Sequence, residues 1–392
     1  MTLKTNTTSM KSLQTQLVHD AHDERHHGAV TPPIYQNSLF TFETVAAYEN
    51  ASLDQMNRHV YTRGNNPTVY ELEKKLAALE GADSARCFAS GMAAISSAIL
   101  SVVKCGDHIV CVDQAYGPAK RFMTEYLPKF QVATTFVDGT SVEAVRAAIR
   151  PNTSLVYLES PSSLLFALQD IQACADIAHQ AGALVLIDNT WATPINQNPL
   201  ALGVDLVIHS LTKYVGGHSD ALGGAVLGRK ELMEGLFHNE FLLLGSIMAP
   251  QTAALIMRGL RTLPLRMKQH QESGLEIARF LERQHWVASV SHPGLPSHPQ
   301  HQLATQQMSG FSSVFCFETQ IDAERMKQWA NKLELFRIGV SWGGYESLVL
   351  VNATGANSDR VHVRLYIGLE DPADIIADIS AACEYAGIPC HP

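Results

Sequence analysis

The sequence predicts an α/β fold, with a mostly parallel central sheet covered on both faces and a smaller α+β region after it. Three observations predict it. Short apolar runs bounded by turns alternate with helix-period segments through the middle of the chain, as strands buried on both faces do. The chain has 392 residues, 46% of them hydrophobic, which exceeds a single small core and favours two domains. Composition also changes near Pro250, where a long helical pattern leads into a second set of strands.

Residues 1–60 are mixed and polar, contain Pro32-Pro33, and read as an extended arm. Apolar positions recur at helical spacing over 68–79, and Gly81 closes that segment. A helix is expected over 91–103, a strand over 108–112, a helix over 141–149 and a strand over 154–158. A helix over 171–181 precedes the wholly apolar strand 183–187, and strands at 204–208 and 221–227 follow. One helical pattern runs from Pro250 to about Gln284. Beyond a Pro- and His-rich loop at 291–301, strands are expected at 312–317, 348–351 and 361–367, with a final helix at 372–385.

Bulk properties exclude several classes. The formal net charge is -9 with no long Lys/Arg run, so nucleic acid is not an expected partner. No apolar stretch reaches about 18 residues, so no membrane span is expected. Residues 1–11 are polar and lack the apolar segment of a secretory signal. The seven cysteines form no C-x-x-C pair. Cys87, Cys111 and Cys316 lie in or beside apolar runs, so they read as core thiols in a reducing cytoplasm. The histidines from His292 to His301 lack helical or finger spacing, so that stretch reads as a surface loop and no metal is expected. No G-x-G-x-x-G follows a strand, and no P-loop is present.

Chemistry concentrates in five places. Lys213, in Ser210-Leu211-Thr212-Lys213-Tyr214-Val215-Gly216-Gly217-His218-Ser219, leaves the end of the run 204–208 with two hydroxyls beside it. Such a lysine can hold an aldehyde as a Schiff base while the hydroxyls hold a phosphate; it can also be a solvated surface lysine. Ala89-Ser90-Gly91-Met92 opens a helix, where backbone N–H groups and the dipole suit an anion, or where Ser90 is an ordinary cap. Asp188 ends an apolar strand, a costly place for an unpaired carboxylate. It can pair with a pyridinium N–H, cap a helix or bind a metal. Tyr61 and Arg63 lie two apart on an extended segment and can clamp one phosphate, or sit in a turn. Tyr116, after the strand 108–112, can stack on a flat ring or fill a turn.

Together these segments resemble the Cys/Met-metabolism group of pyridoxal-phosphate (PLP) enzymes, of the aspartate aminotransferase-like fold type I. The likeness runs from about Gly28 to the final helix and includes Gly217-His218-Ser219-Asp220, Ser341-Trp342-Gly343-Gly344-Tyr345-Glu346-Ser347 and the stretch from Val363 to Asp371. It implies pyridoxal 5'-phosphate as cofactor and an arm over 1–60 contacting a neighbouring subunit. It further implies a PLP-binding domain over 61–255 and a C-terminal domain over 256–392. The resemblance makes Lys213 the Schiff-base lysine, pairs Asp188 with the ring nitrogen, and stacks Tyr116 on the ring. It gives the phosphate to Gly91, Met92, Ser210 and Thr212, with Tyr61 and Arg63 reaching a neighbour's cofactor. A homotetramer with shared sites follows, and Arg364 takes the substrate α-carboxylate.

Within the family the pattern lies nearest cystathionine β-lyase. Ser163, Pro118 and Trp342 are β-lyase-like, whereas Arg121, Val340 and Gly64 depart from the bacterial β-lyase pattern. The expected substrate contacts are Arg364, Ser341, Trp342, Ser163 and Arg121, with Lys213 and Tyr116 catalytic. The expected reaction is β-elimination from an S-linked cysteine, L-cystathionine first. A γ-lyase, a γ-synthase-type enzyme and a non-catalytic binding protein are the alternatives.

Overall fold

A computed structural model describes residues 12–19, 26–353 and 360–390. Its centre is a seven-stranded sheet of β1 (Ser84–Phe88), β2 (His108–Val112), β3 (Ala133–Val137), β4 (Thr153–Glu159), β5 (Leu184–Asp188), β6 (Leu206–Ser210) and β7 (Gly224–Gly228). The strand order is β1-β7-β6-β5-β4-β2-β3. From β6 across to β3 the strands run parallel, while β7 is antiparallel to both β6 and β1. Parallel neighbours require crossovers, which helices Val142–Ala148 and Ile171–Gln180 supply on either side of β4.

Side chains alternate across this sheet. Cys87, Ala225 and Leu227 enter one core, and Phe88 and Val226 the other, as a two-residue period demands. The first core runs on through Trp191, Tyr214, Phe315 and Tyr366 into a second sheet. That sheet consists of β8 (Val287–Ser291), β9 (Val314–Thr319), β10 (Arg337–Ile338), β11 (Leu348–Ala353) and β12 (Val361–Tyr366), ordered β10-β11-β12-β9-β8. The shared core is what brings residues of β12 against the end of β6.

Several expectations are corrected. The pattern over 250–284 is two helices, Pro250–Arg261 and Leu263–Glu282, interrupted at Thr262. Pro264 in the first turn of the second helix has no amide to continue the first. The helix begun at Gly91 ends at Leu100, and the strand expected over 221–227 is Gly224–Gly228. The arm holds helices Leu13–Val18 and Val45–Ser52. The loop 291–301 is not a plain surface loop. His292 is fully buried, bonds the Ser312 carbonyl at 3.0 Å, and packs beside Trp191, Phe311 and Phe315. Burial pushes both His292 and His298 down to about 4. Cys87, Cys111 and Cys316 are buried. Residues 1–11 lie outside the described residues. Among those described, no helix is long and apolar enough to cross a membrane.

Candidate functional site

Three parallel strands end side by side, β4 with Glu159, β5 with Asp188 and β6 with Ser210. This carboxyl edge is where open α/β sheets bind ligands. Glu159 and Asp188 are register partners on neighbouring strands, so two buried carboxyls face one another. Asp188 Oδ1 accepts from the Thr190 amide at 3.0 Å and from the Thr190 hydroxyl at 2.5 Å. The same Thr190 oxygen accepts the Ser210 amide at 2.8 Å, tying β5 to β6. Burial pushes both carboxyls up, and Glu159 reaches about 8 with Asp188 as the second cause. The two bonds from Thr190 and the charge of Lys213 oppose that rise at Asp188. The nearby Lys213 charge favours the ionised form at Asp188, while burial and the Asp188 charge favour the protonated form at Glu159.

Glu159 Oε2 accepts the Tyr116 amide at 2.7 Å, and the Ser163 hydroxyl bonds the same carboxyl. Glu159 thereby fixes the backbone of the turn that carries Tyr116. Burial, then Asp188 and Glu159, push the Tyr116 phenol up. Glu159→Gln should leave turnover at pH 7 within about threefold of the parent, because it replaces a carboxyl that is already neutral. A carboxyl with a raised folded value gives stability that is full below about 4.5 and lost as pH rises through about 8. The glutamine variant should lack that loss, which denaturant midpoints measured from pH 4.5 to 9 will check.

Lys213 sits in a tight turn after β6. Its amide donates to the Ser210 carbonyl at 3.2 Å, and the Gly217 amide donates to the Lys213 carbonyl at 2.8 Å. Its Nζ donates to Ser341 Oγ at 2.7 Å and lies 5.4 Å from the Trp342 ring centre. Burial, then the Arg364 charge, bring its pKa down to about 8, opposed by Asp188. Arg364, on β12, gives Nη2 to the carbonyls of Val340 at 2.8 Å, Ser341 at 3.2 Å and Gly339 at 3.3 Å. It therefore grips the loop by its backbone. Gly343 has φ +91°, and a Cβ there would lie 2.6 Å from the Tyr214 amide nitrogen and 2.7 Å from Lys213 Cα. Only glycine lets this loop lie against the lysine.

Opposite, Ser90 caps helix Gly91–Leu100 and accepts the Ala93 amide at 3.1 Å. Helix geometry leaves the amides of Gly91 and Met92 without a helical acceptor. A Cβ on Gly91 would meet Ser210 Oγ at 3.0 Å, so the Ser210 hydroxyl stands at the positive end of this helix. The Thr212 hydroxyl bonds the Gly223 carbonyl at 3.3 Å and accepts the Gly223 amide at 3.1 Å. A cleft of about 630 Å³ opens beside it, lined in part by Ser219, Asp220, Ser341 and Glu346.

Lys213, Asp188, Ser210, Thr212, Gly91, Ser341, Trp342 and Arg364 thus converge, with Met92 in the same helical turn as Gly91 and Tyr116 and Ser163 at the Glu159 side. Tyr61 and Arg63 do not join them in one chain. Tyr61 bridges to Leu39, and the Arg63 guanidinium lies 5.8 Å from the Tyr61 ring centre. Among the described residues, no hydrogen bond or ion pair links either to Lys213. Arg121 is likewise apart. It pairs with Glu125 at 2.9 Å on an exposed helical face, beside a shallow groove lined by Pro118, Phe122 and Tyr126. Sequence reasoning missed Glu159 and Thr190. The available signal was that β4, like β5, is an apolar strand ending in a carboxylate. Among the described residues, no group of three or more His, Cys, Asp or Glu could hold a metal.

Comparison with known proteins gives the following. A family model described as Cys/Met metabolism PLP-dependent enzyme matches residues 14–384. An L-methionine gamma-lyase of Porphyromonas gingivalis is 41% identical over 379 residues, covering 93% of this chain and 95% of that one. A cystathionine beta-lyase of Lactococcus lactis is 37% identical over 391 residues, covering 96% and 100%. The crystal structure of metB from Corynebacterium glutamicum superposes with a TM-score of 0.88 at 36% identity, covering 96% of this chain and 98% of that one.

Proposed function

The chain belongs to the Cys/Met-metabolism family of PLP-dependent enzymes, and on that premise we propose that it is a carbon–sulfur lyase that cleaves L-cystathionine, or a related cysteine S-conjugate, by β-elimination. The observation that carries this reading is a buried amine, its pKa brought down to about 8, set between a carboxylate and an arginine. Lys213, Asp188 and Arg364 are those three groups.

The residues present fit the cofactor. A phosphate-bearing pyridine aldehyde needs an amine, a partner for its ring nitrogen, an aromatic face and an anion cradle. Lys213 offers the amine, Asp188 the ring-nitrogen partner and Tyr116 the face. Gly91, Met92, Ser210 and Thr212 offer the cradle, completed by Tyr61 and Arg63 of a neighbouring subunit in a homotetramer. In this reading an arm over 1–60 contacts the neighbouring subunit, ahead of a cofactor domain over 61–255, which carries Tyr61 and Arg63, and a C-terminal domain over 256–392. When bound, PLP supplies an electron sink for negative charge at the substrate Cα.

The protein groups do the rest. Arg364 binds the substrate α-carboxylate, with two of its nitrogens left over from the loop carbonyls. Ser341 and Trp342 orient the substrate beside Lys213. With its pKa brought down to about 8, the Lys213 amine holds a far larger neutral fraction than an ordinary lysine, and that neutral fraction lets Nζ take the Cα proton. The Cβ–S bond then breaks, and Lys213 or Tyr116 returns a proton to the departing sulfur. With one water consumed, the products are a thiol, pyruvate and ammonia. Ser163 and Arg121 shape the distal end, Arg121 after leaving Glu125. A cytoplasmic setting suits the reading, since the buried thiols Cys87, Cys111 and Cys316 are free.

A γ-elimination reading is favoured by one observation, the 41% identity to an L-methionine gamma-lyase. Keto-acid analysis after L-cystathionine turnover decides between them. Pyruvate with homocysteine is expected, and 2-oxobutyrate with cysteine would overturn the β-assignment.

A further inference from the structure

Resting on the carboxylate-binding reading of Arg364, we infer that His270 is a positioning residue: it braces Tyr366 and Tyr214, and through them it holds the 339–344 loop against Lys213. His270 lies on Leu263–Glu282 and is fully buried. Its Nδ1 stands 3.2 Å from the Ile367 carbonyl and 3.3 Å from Ser313 Oγ, and its Nε2 stands 3.4 Å from the Tyr366 hydroxyl. That hydroxyl donates to the Gly344 carbonyl at 2.5 Å. On the other side, the His270 ring lies 5.1 Å from the Tyr214 ring, which lies 5.4 Å from Trp342. The Tyr214 hydroxyl in turn accepts the Ser313 amide at 3.0 Å.

The arrangement clamps the loop at both ends. Arg364 and Tyr366 are two apart on β12 and so share a face. Arg364 holds the carbonyls of 339–341, and Tyr366 holds that of Gly344. One helical turn before His270, Arg266 donates to the Tyr214 carbonyl at 2.6 Å and the Gly259 carbonyl at 2.8 Å. A single helix therefore grips the turn that carries the lysine and the loop that faces it. The Ile367 carbonyl can only accept, which assigns the ring proton to Nδ1; the single Tyr366 hydroxyl proton then goes chiefly to the Gly344 carbonyl, with Nε2 at 3.4 Å as its weaker second acceptor. Burial and the Arg266 charge push His270 down to about 4, consistent with a ring that stays neutral and serves as a fixed brace.

The test uses holoenzyme and L-alanine, an amino acid without a leaving group, with binding followed by the change in cofactor absorption. His270→Phe keeps a ring in the core but removes both nitrogens, and Tyr366→Phe removes only the hydroxyl. Each should weaken L-alanine binding about tenfold, the usual effect of one lost hydrogen bond. The double variant should be no weaker than either single, since both act through one contact. His270→Gln, whose amide can still reach Tyr366, should recover most of the affinity. Wild-type binding in a folded His270→Phe holoenzyme, or strict additivity in the double variant, overturns the inference. A wild-type holoenzyme that gives no response to L-alanine overturns the site reading beneath it.

Discussion

Lys213→Ala is expected to lower turnover of L-cystathionine by about 10³-fold, within the range assigned to a positioned proton-transfer group. The amine is the group that burial and Arg364 hold near pH 8, and nothing beside it can take over at the same atom. Ser341 Oγ is its hydrogen-bond partner, but a hydroxyl at that position is too weak a base. Borohydride reduction of the parent holoenzyme should fix the cofactor to the peptide carrying Lys213, and the variant should carry no such label. A label elsewhere in the parent, or turnover within tenfold in the variant, would refute the assignment. The stability of the cofactor-free protein gives an independent reading. A lysine with a depressed folded value contributes stability above about 10.5 that is lost as pH falls through about 8. Replacing it should therefore raise the melting temperature of the apoprotein at pH 7, and much less at pH 10.

Asp188→Asn should lower kcat by about 10²–10⁴-fold, because removing one partner of a buried charge pair costs about 3–5 kcal/mol. The amide keeps the shape of the side chain, and its oxygen can still accept from both Thr190 donors at Oδ1. The strand ends should therefore stay in place and KM should change little. A shifted cofactor absorption band together with faster loss of PLP on dialysis would accompany the fall in kcat. Full activity in this variant would mean that Glu159, and not Asp188, carries the charge.

Much of the site was legible in the sequence because chemistry and chain order coincide there. Asp188 closes an apolar strand, and Lys213 follows another within a run of hydroxyls and glycines. Arg364 was harder, since on β12 alone it is an isolated strand charge, and family resemblance supplied its role. Glu159 was not legible as a partner of Asp188. That pairing depends on β4 lying beside β5, a register that the 28 residues between Glu159 and Asp188 do not encode locally. β1 was hidden by Arg86, a charged residue inside a buried strand. Its cost is offset by the buried Glu73 carboxylate and by the faces of Phe237 and Phe241. β3 was hidden because it is an edge strand carrying adjacent threonines, so its apolar signal is thin. The break at Thr262 left no mark in the periodicity, which continues in phase across it.

The grip of Arg364 on backbone oxygens rather than on side chains has an evolutionary corollary. A change of residue at position 340 leaves all three of those bonds standing, so the mouth of the cleft can be rewritten without disturbing the amine behind it. Gly343 has no such latitude. Drift between leaving groups would thus be permitted at 340 and forbidden at 343, which makes this short loop the place where a lineage of such enzymes can diverge in diet while keeping one chemical engine.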